Sequence, residues 1–407
     1  MAENVSKTKK LFTVGGLVVL ALGIILYFAK EPLGLNRKIY DLPVFLILIG
    51  LGFALKGFMS KAKSEDDLDL GSKSFGEFLT NNAILLAMLV LVVVICILQP
   101  RFMQIRVALD ILTQSSTKLI MALGICFALL IAGTDLSAGR MVGLSAVISA
   151  SMMQTATYAN RFFPDLPQVS IWIPIAAAVL ACMLFGALNG FLVAKYEMHP
   201  FIATLATQVI IYGACSLYFD MPPNNSQPIG GIRPDFAQIG QMRLFQGIYP
   251  GFPGISILIP ISLVICVIIW FVLNKTVFGK NVYAIGGNRE AAVVAGINVF
   301  RNIMFIFILA SFLYGIAGVL EAARTAGATN NYGNGYETDA IAACVVGGVS
   351  MSGGIGKVGG IVMGVLIFTV IQYGLQFINV SPMWQQVIKG VIIAVAVAID
   401  LTKYRRK

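Results

Sequence analysis

The chain of 407 residues is 58% hydrophobic and only 12% charged, whereas about a quarter of the residues in soluble proteins are charged. This composition, with repeated apolar runs of bilayer length, indicates an all-α integral membrane protein. The net charge of +10 does not require a nucleic-acid partner, because the basic residues lie mostly in short loops between apolar runs. The six cysteines stand singly and the only histidine is His199, so neither a metal site nor a catalytic residue is predicted.

Twelve apolar segments predict twelve membrane spans. The first is too long for the apolar core of a cleavable signal peptide, so we expect it to be retained as a helix. With a cytoplasmic N-terminus, more Lys and Arg residues fall in cytoplasmic loops than in outer loops, which places both termini in the cytoplasm. The spans are expected at 11–29, 42–59, 83–99, 119–132, 139–157, 171–194, 200–219, 255–273, 303–323, 336–351, 358–378 and 384–401.

The polar stretch at 60–77 divides the chain into two predicted domains. Residues 1–79 form an N-terminal two-span extension with a polar cytoplasmic linker, and residues 80–407 form a helical bundle of about ten core spans. The segment 220–254 contains six prolines. We expect a stiff outer loop without a helix there, suited to receiving another protein.

The stretch GTDLSAGR at 133–140 places charged and hydroxyl side chains between two apolar runs. A charged side chain at the bilayer centre costs about 2.5–3.5 kcal/mol on insertion scales, so it is tolerated in cavities, in pairs or at helix ends. For Asp135 and Arg140, a structural role in a helix break and a role in lining a passage both remain open. The residues predicted to line a translocation pathway or to form a helix break are Thr134, Asp135, Ser137, Arg140, Asn189, Glu321, Arg324, Asn330, Asn331 and Asp339.

A faint internal repeat links two of these polar stretches. Residues 133–149 and 337–350 share Thr-Asp followed by small residues. Because five predicted spans separate them, the two halves of the body would be inverted. Broken helices at matching places in inverted halves predict a transport site near the membrane midplane.

The segment GGIGKVGG at 353–360 matches the spacing of a dinucleotide fingerprint. No strand is expected before it, so the pattern does not predict a nucleotide site. Close helix packing or a broken helix explains the glycines better.

The loop 274–302 contains a predicted short helix at about 289–295. Asn288 can cap its start, Glu290 suits the positive end of the helix dipole, and Gly296 can supply a left-handed stop. The small Ala291 and Ala292 would leave a smooth surface for another protein, although an ordinary amphipathic surface helix explains the same residues.

The pattern Glu290-Ala291-Ala292-x-x-x-Gly296 resembles the EAA loop of ABC importer permeases, whose helix docks on the ATPase. Further blocks resemble the branch of that family that imports ribose, galactose and related sugars, its galactoside group in particular. The resemblance covers about residues 80–407, and Arg289 stands where galactoside relatives often have proline. The blocks are ILTQSS at 111–116, GTDLSAGR at 133–140, HPFIATLATQVIIYG at 199–213, NKTVFGKN at 274–281 and ETDAIAACVVGGVSMSGGIG at 337–356.

The resemblance implies a sugar-import permease in the bacterial cytoplasmic (inner) membrane. It implies a second copy of the permease, a cytoplasmic sugar-import ATPase, an extracytoplasmic sugar-binding protein and surrounding lipid as partners. ATP and Mg would bind the ATPase, with no cofactor on this chain. The coupling helix would comprise Asn288, Arg289, Glu290, Ala291, Ala292 and Gly296.

Galactose or a methyl galactoside comes first among the substrates that the resemblance implies, with ribose, another pentose or a nucleoside as alternatives. The residues also leave open an ion-coupled secondary transporter. That protein would need a central carboxylate, and Asp135 or Asp339 could serve.

Overall fold

The computed structural model describes residues 83–248 and 252–405. The spans predicted at 11–29 and 42–59 and the linker after them lie outside the described residues. Two short strands, β1 (Arg243–Leu244) and β2 (Ile255–Ser256), pair antiparallel, with Arg243 opposite Ser256. A 3₁₀ helix spans Pro100–Met103. The α-helices are α1 (Ala83–Leu98), α2 (Ile105–Leu130), α3 (Ala138–Met152), α4 (Trp172–Lys195), α5 (Pro200–Asp220), α6 (Pro234–Gln241), α7 (Leu258–Lys275), α8 (Val277–Gly287), α9 (Arg289–Val294), α10 (Val299–Thr325), α11 (Tyr336–Val346), α12 (Val358–Phe377) and α13 (Pro382–Arg405).

The prediction of an all-α polytopic membrane protein is confirmed. Each of the ten body spans predicted from the sequence contains a helix. Among the described residues, six helices are long and apolar enough to cross a bilayer, namely α2, α4, α5, α7, α10 and α12.

The boundary predicted for the second body span was wrong. The apolar pattern begins at 119, but α2 begins at Ile105. In the polar part before 119, the hydroxyls of Ser115 and Ser116 donate to the carbonyls of Ile111 and Leu112, at 2.8 and 2.9 Å. The hydroxyls thus find partners within the helix, and the burial of these serines leaves no hydroxyl unsatisfied.

The helices α3 and α11, which lie at predicted spans, are too short to cross the membrane. The 15 residues of α3 and the 11 of α11 reach about 22 and 16 Å at ~1.5 Å per residue. Each follows a long helix, α2 with 26 residues and α10 with 27. The repeated sequence does not fall at equivalent positions, because Asp135 precedes its helix whereas Asp339 lies in the first turn of α11. The inverted relation of the halves stays a prediction.

The long helix α10 packs tightly because of small residues at its crossings. A Cβ added to Gly186 on α4 would lie 2.2 Å from the Ser311 Oγ. One added to Gly318 would lie 2.4 Å from the Val142 carbonyl on α3. Small residues at these points let the helix backbones approach, which is how helices associate in lipid.

The prediction that 220–254 contains no helix was wrong. Pro234 occupies the first turn of α6, where its missing N–H costs nothing. The helix packs on the end of α10, where Gln241 Nε2 donates to the Arg324 carbonyl at 3.1 Å. Partial burial acts to raise the pKa of Asp235, but hydrogen bonds from Arg233 and from the Phe236 N–H outweigh it and hold that pKa below its usual value.

The described residues form two compact units. The first unit comprises 83–110 with 370–381, and in it Phe102 packs edge-on against Phe377, with ring centroids 5.3 Å apart. The second comprises 111–369, apart from the undescribed residues, with 382–405. All of the candidate functional residues described next belong to the second unit.

Candidate functional site

The break between α2 and α3 is held by a buried chain of hydrogen bonds. Asp135 is fully buried, and its Oδ1 accepts from the Ser137 hydroxyl at 2.5 Å and from the Ser137 N–H at 3.0 Å. Asn189 on α4 donates to the Ser137 Oγ at 2.9 Å. Thr207 on α5 donates to the Asn189 Oδ1 at 2.6 Å. Two helices, α4 and α5, and the break thereby share one polar network.

A second contact fixes the backbone of the same break. The Thr204 hydroxyl on α5 lies 3.1 Å from the Thr134 carbonyl and accepts from the Leu136 N–H at 3.1 Å. We call Thr134, Asp135, Ser137, Asn189, Thr204 and Thr207 the buried brace. Five of its six members are buried and Thr134 is half-buried, and their hydrogen bonds join the break to α4 and α5.

The other oxygen of Asp135 interacts with the buried Tyr314 hydroxyl. Within the described part of the chain, neither Asp135 Oδ2 nor the Tyr314 hydroxyl bonds any further group. The sequence reasoning missed Thr204, Thr207 and Tyr314. The two threonines could have been found from their spacing of three residues on the buried face of α5.

The remaining predicted charges form ion pairs with neighbours. Glu321 is 4% exposed and accepts from Arg324 Nη2 at 2.5 Å and from the Thr117 hydroxyl at 3.0 Å. Asp339 Oδ2 lies 2.9 Å from Lys389 Nζ. Lys118 interacts electrostatically with members of both pairs, so the charges form one cluster. Breaking a buried ion pair from one side is costly because the other charge stays buried.

A polar patch lies on the surface where α3, α5 and the loop after α10 meet. Arg140 Nη2 donates to the Asn334 Oδ1 at 3.0 Å, and the guanidinium lies 4.2 Å from the ring centroid of Tyr212. Asn330 Nδ2 donates to the Ser216 Oγ at 3.4 Å. Exposed polar groups beside apolar membrane helices provide a hydrated surface. The polar patch comprises Arg140, Tyr212, Ser216, Asn330, Asn331 and Asn334.

Glycines bring the two polar stretches together at this patch. A Cβ on Gly139 would lie 2.3 Å from the Gly333 carbonyl, and one on Gly143 would lie 2.4 Å from the Tyr332 carbonyl. Gly333 has φ of +75°, which side chains other than glycine rarely adopt. The sequence predicted Arg140, Asn330 and Asn331 as pathway candidates, and the structure places them on one surface.

The short helix predicted in the loop 274–302 is confirmed. In α9, the Asn288 Oδ1 accepts from the Ala291 N–H at 2.9 Å, and Gly296 has φ of +80°. The prediction of a smooth surface formed by Ala291 and Ala292 was wrong, because Ala292 faces inward and is 3% exposed. The outer surface of α9 is instead formed by Arg289, Glu290, Ala291, Val293 and Val294.

The segment GGIGKVGG contacts the end of α2 and the helix that leads to α9. The Gly354 N–H donates to the Leu130 carbonyl at 2.9 Å, and a Cβ on Gly286 would lie 1.7 Å from that same oxygen. The Tyr283 hydroxyl donates to the Gly356 carbonyl at 2.9 Å. The prediction that these glycines serve close packing is confirmed.

Membrane-length helices, two of them followed by breaks and short helices beside polar groups, form the architecture of a transport protein. The family described as "Branched-chain amino acid transport system / permease component" matches residues 107–397. The chain belongs to this family of multi-pass membrane permeases, and it is a transport subunit.

Similar proteins carry more specific names. The galactose/methyl galactoside import permease protein MglC of Haemophilus influenzae is 47% identical over 83% of this chain and 98% of its own length. The protein of the same name from Escherichia coli K12 is 45% identical over 83% of this chain and 99% of its own. The ribose import permease protein RbsC of Bacillus subtilis is 36% identical over 78% and 92%. No solved structure matches the chain.

Proposed function

We propose that the chain is the membrane-spanning permease of an ATP-driven importer for galactose and methyl galactosides. The observation that carries this proposal is the 47% identity to a galactose/methyl galactoside permease over nearly its whole length. The ribose permeases are more distant, at 36% identity or below among those compared. Ribose is therefore the second candidate substrate.

The positions of α9 and α6 support an arrangement across the membrane. The segment after α9 leads directly into the start of α10, with the Ile297 N–H bonded to the Ala292 carbonyl at 3.0 Å. The helix α6 packs at the other end of α10, against Arg324. Since α10 has 27 residues and is about 40 Å long, α9 would face the cytoplasm and α6 the outside.

Partners follow from these positions. The exposed surface of α9 would dock on a cytoplasmic ATPase, which would bind ATP and Mg. The segment with α6 and the β1–β2 hairpin would receive a sugar-loaded binding protein. A second copy of the permease would cover the polar patch, and the sugar would pass between the copies. Bound in the inner membrane with both termini in the cytoplasm, the permease would translocate the sugar while the ATPase supplies the energy.

The structure offers little support for an ion-coupled carrier. Asp135 is sealed in the buried brace, and Asp339 is paired with Lys389. The first carboxylate is buried and the second is neutralised by a lysine, and neither state suits the binding of a coupling ion.

The direct test is sugar uptake into proteoliposomes that hold the permease and its ATPase, with the binding protein added outside. Galactose uptake should require ATP inside the vesicles and should resist a collapse of proton and sodium gradients. A tenfold excess of ribose should compete weakly. Uptake that does not depend on ATP and stops when an ion gradient is collapsed would refute the proposal. Preferential uptake of ribose would show that ribose, and not galactose, is the substrate.

A further inference from the structure

The carboxylate of Glu337 lies between the first turns of the two short helices. Glu337 is the second residue of α11, is 6% exposed, and belongs to none of the predicted sites. A Cβ placed on Gly139, the second residue of α3, would lie 2.0 Å from its Oε2. The positive ends of two helix dipoles therefore meet around this carboxylate.

One oxygen of this carboxylate has no partner. Among the described residues, Glu337 Oε2 accepts no hydrogen bond although it is buried. A buried acceptor without a donor costs free energy. A group that served only to join the two helices would be expected to make that bond.

The neighbouring Arg140 also has a buried polar atom without a hydrogen-bond partner. Arg140 follows Gly139 and carries a charge that acts on Glu337. Its Nη2 bonds Asn334, but its Nη1 is buried and has no hydrogen-bond partner in the described part of the chain. An unsatisfied acceptor and an unsatisfied donor thus stand on adjacent elements at the edge of the polar patch, without bonding each other.

Sugar hydroxyls have the chemistry that would complete both groups. A carboxylate only accepts and a guanidinium only donates, whereas a hydroxyl does both. Two adjacent hydroxyls on a monosaccharide ring can therefore donate to the carboxylate with one oxygen and accept from the guanidinium with the other. Charged partners make these the stronger kind of hydrogen bond.

We propose that Glu337 and Arg140 together bind two adjacent hydroxyls of the transported sugar when the first turns of α3 and α11 separate. In this structure Gly139 in the first turn of α3 lies against Gly333, in the loop just before α11, and both side-chain atoms are buried. This inference rests on the proposed function and names the part of the sugar that the polar patch would recognise.

The experiment uses the complete transporter in proteoliposomes, with Glu337→Gln, Arg140→Gln and the double variant. Each variant is given galactose or single-deoxy galactoses at concentrations that saturate the binding protein. Galactose uptake should fall about tenfold or more in each single variant. The double variant should lose little beyond the larger single loss, because both residues hold one ligand.

Selectivity separates sugar binding from a purely structural role. The wild type should transport galactose faster than the deoxy sugar that lacks a bound hydroxyl. In Glu337→Gln, the ratio of the two uptake rates should be closer to one. The concentration of loaded binding protein that gives half-maximal uptake should not change. Asp165→Asn alters an exposed carboxylate in the loop between α3 and α4 and should behave as wild type.

Several results would overturn the inference. Glu337→Gln with galactose uptake within twofold of wild type would do so. Equal losses for galactose and every deoxy sugar would make Glu337 a structural residue only. If Glu337→Gln does not assemble, Arg140→Gln provides the same comparison. If the wild type imports ribose instead, the proposed substrate fails, and the same variants are tested with deoxy riboses.

Discussion

At the residue scale, the amide of Asn189 connects parts of the chain that are far apart in sequence. It is fully buried, donates to Ser137 in the break and accepts from Thr207 on α5. An amide donates from its nitrogen and accepts at its oxygen, so it can join two hydroxyls that lie on different elements. The buried brace therefore depends on the identity of this residue.

Asn189→Leu should destabilise the permease by about 1–3 kcal/mol, because two buried hydroxyls lose a partner while the volume is kept. The matched control is Asn274→Leu, at an exposed position where the amide bonds only to the Trp270 carbonyl. Thermal unfolding of the two purified variants in detergent gives the comparison. A variant at 189 that unfolds at the wild-type temperature would show that the brace contributes nothing to stability.

Individual partners were the least predictable feature of the site. Asp135, Ser137 and Asn189 stand out in the sequence because polar residues are rare in apolar runs. Tyr314, Lys389 and Glu337 do not reveal their partners, since the contacts join residues up to about two hundred positions apart. A single sequence carries no signal for such pairs. Glycine positions indicate close packing but not which backbone approaches.

At the element scale, α4 and α10 cross closely because Gly186 has no side chain. A Cβ added to Gly186 would lie 2.2 Å from Ser311 Oγ and 2.6 Å from the Phe307 carbonyl oxygen. The backbone carbonyl cannot rotate away, so a methyl group at 186 must push the helices apart. Helix association in lipid relies on this kind of contact.

Gly186→Ala should therefore destabilise the bundle by about 1–3 kcal/mol, as overpacking does. Gly213→Ala on α5 is the control, since an added Cβ there meets nothing within 4 Å. The fraction of each protein that remains monodisperse after heating can be followed by size-exclusion chromatography. Equal heat resistance of the two variants would contradict the packing argument.

The surface of α9 depends on its valines more than on its alanines. Val294 is 88% exposed, and an exposed valine on a short capped helix offers apolar area to a partner. Val294→Asp should abolish copurification of the ATPase, whereas Val294→Ile should preserve it. Copurification that survives Val294→Asp would place the ATPase contact elsewhere.

The helices themselves were largely predictable. Apolar runs and the signals at Asn288 and Gly296 located the ten body helices and α9 because hydropathy and capping act locally. The helix α6 was missed because proline was read as a helix breaker without regard to its position. The early start of α2 was missed because hydropathy does not register serines bonded within their own helix.

At the scale of the whole molecule, the proposed orientation can be tested with a reagent that does not cross membranes. Phe245 next to β1 is 64% exposed, and Val294 is on α9. In intact cells, a charged maleimide should label Phe245→Cys and leave Val294→Cys unlabelled until the cells are opened. The native cysteines are first replaced with serine. Labelling of Val294→Cys in intact cells would show that the orientation is the opposite of the proposed one.

The contact at Leu130 has a mechanical consequence. Its carbonyl oxygen is held by the Gly354 N–H and lies against Gly286, and Asp135 follows only five residues later. A movement of α8 toward α2 would press Gly286 against this oxygen, and would therefore shift the end of α2 or strain its hydrogen bond to Gly354. A push on α9 by the proposed ATPase would thus cross a single helix to reach the base of the helix break, and no flexible side chain lies between Gly286 and the Leu130 carbonyl to absorb it.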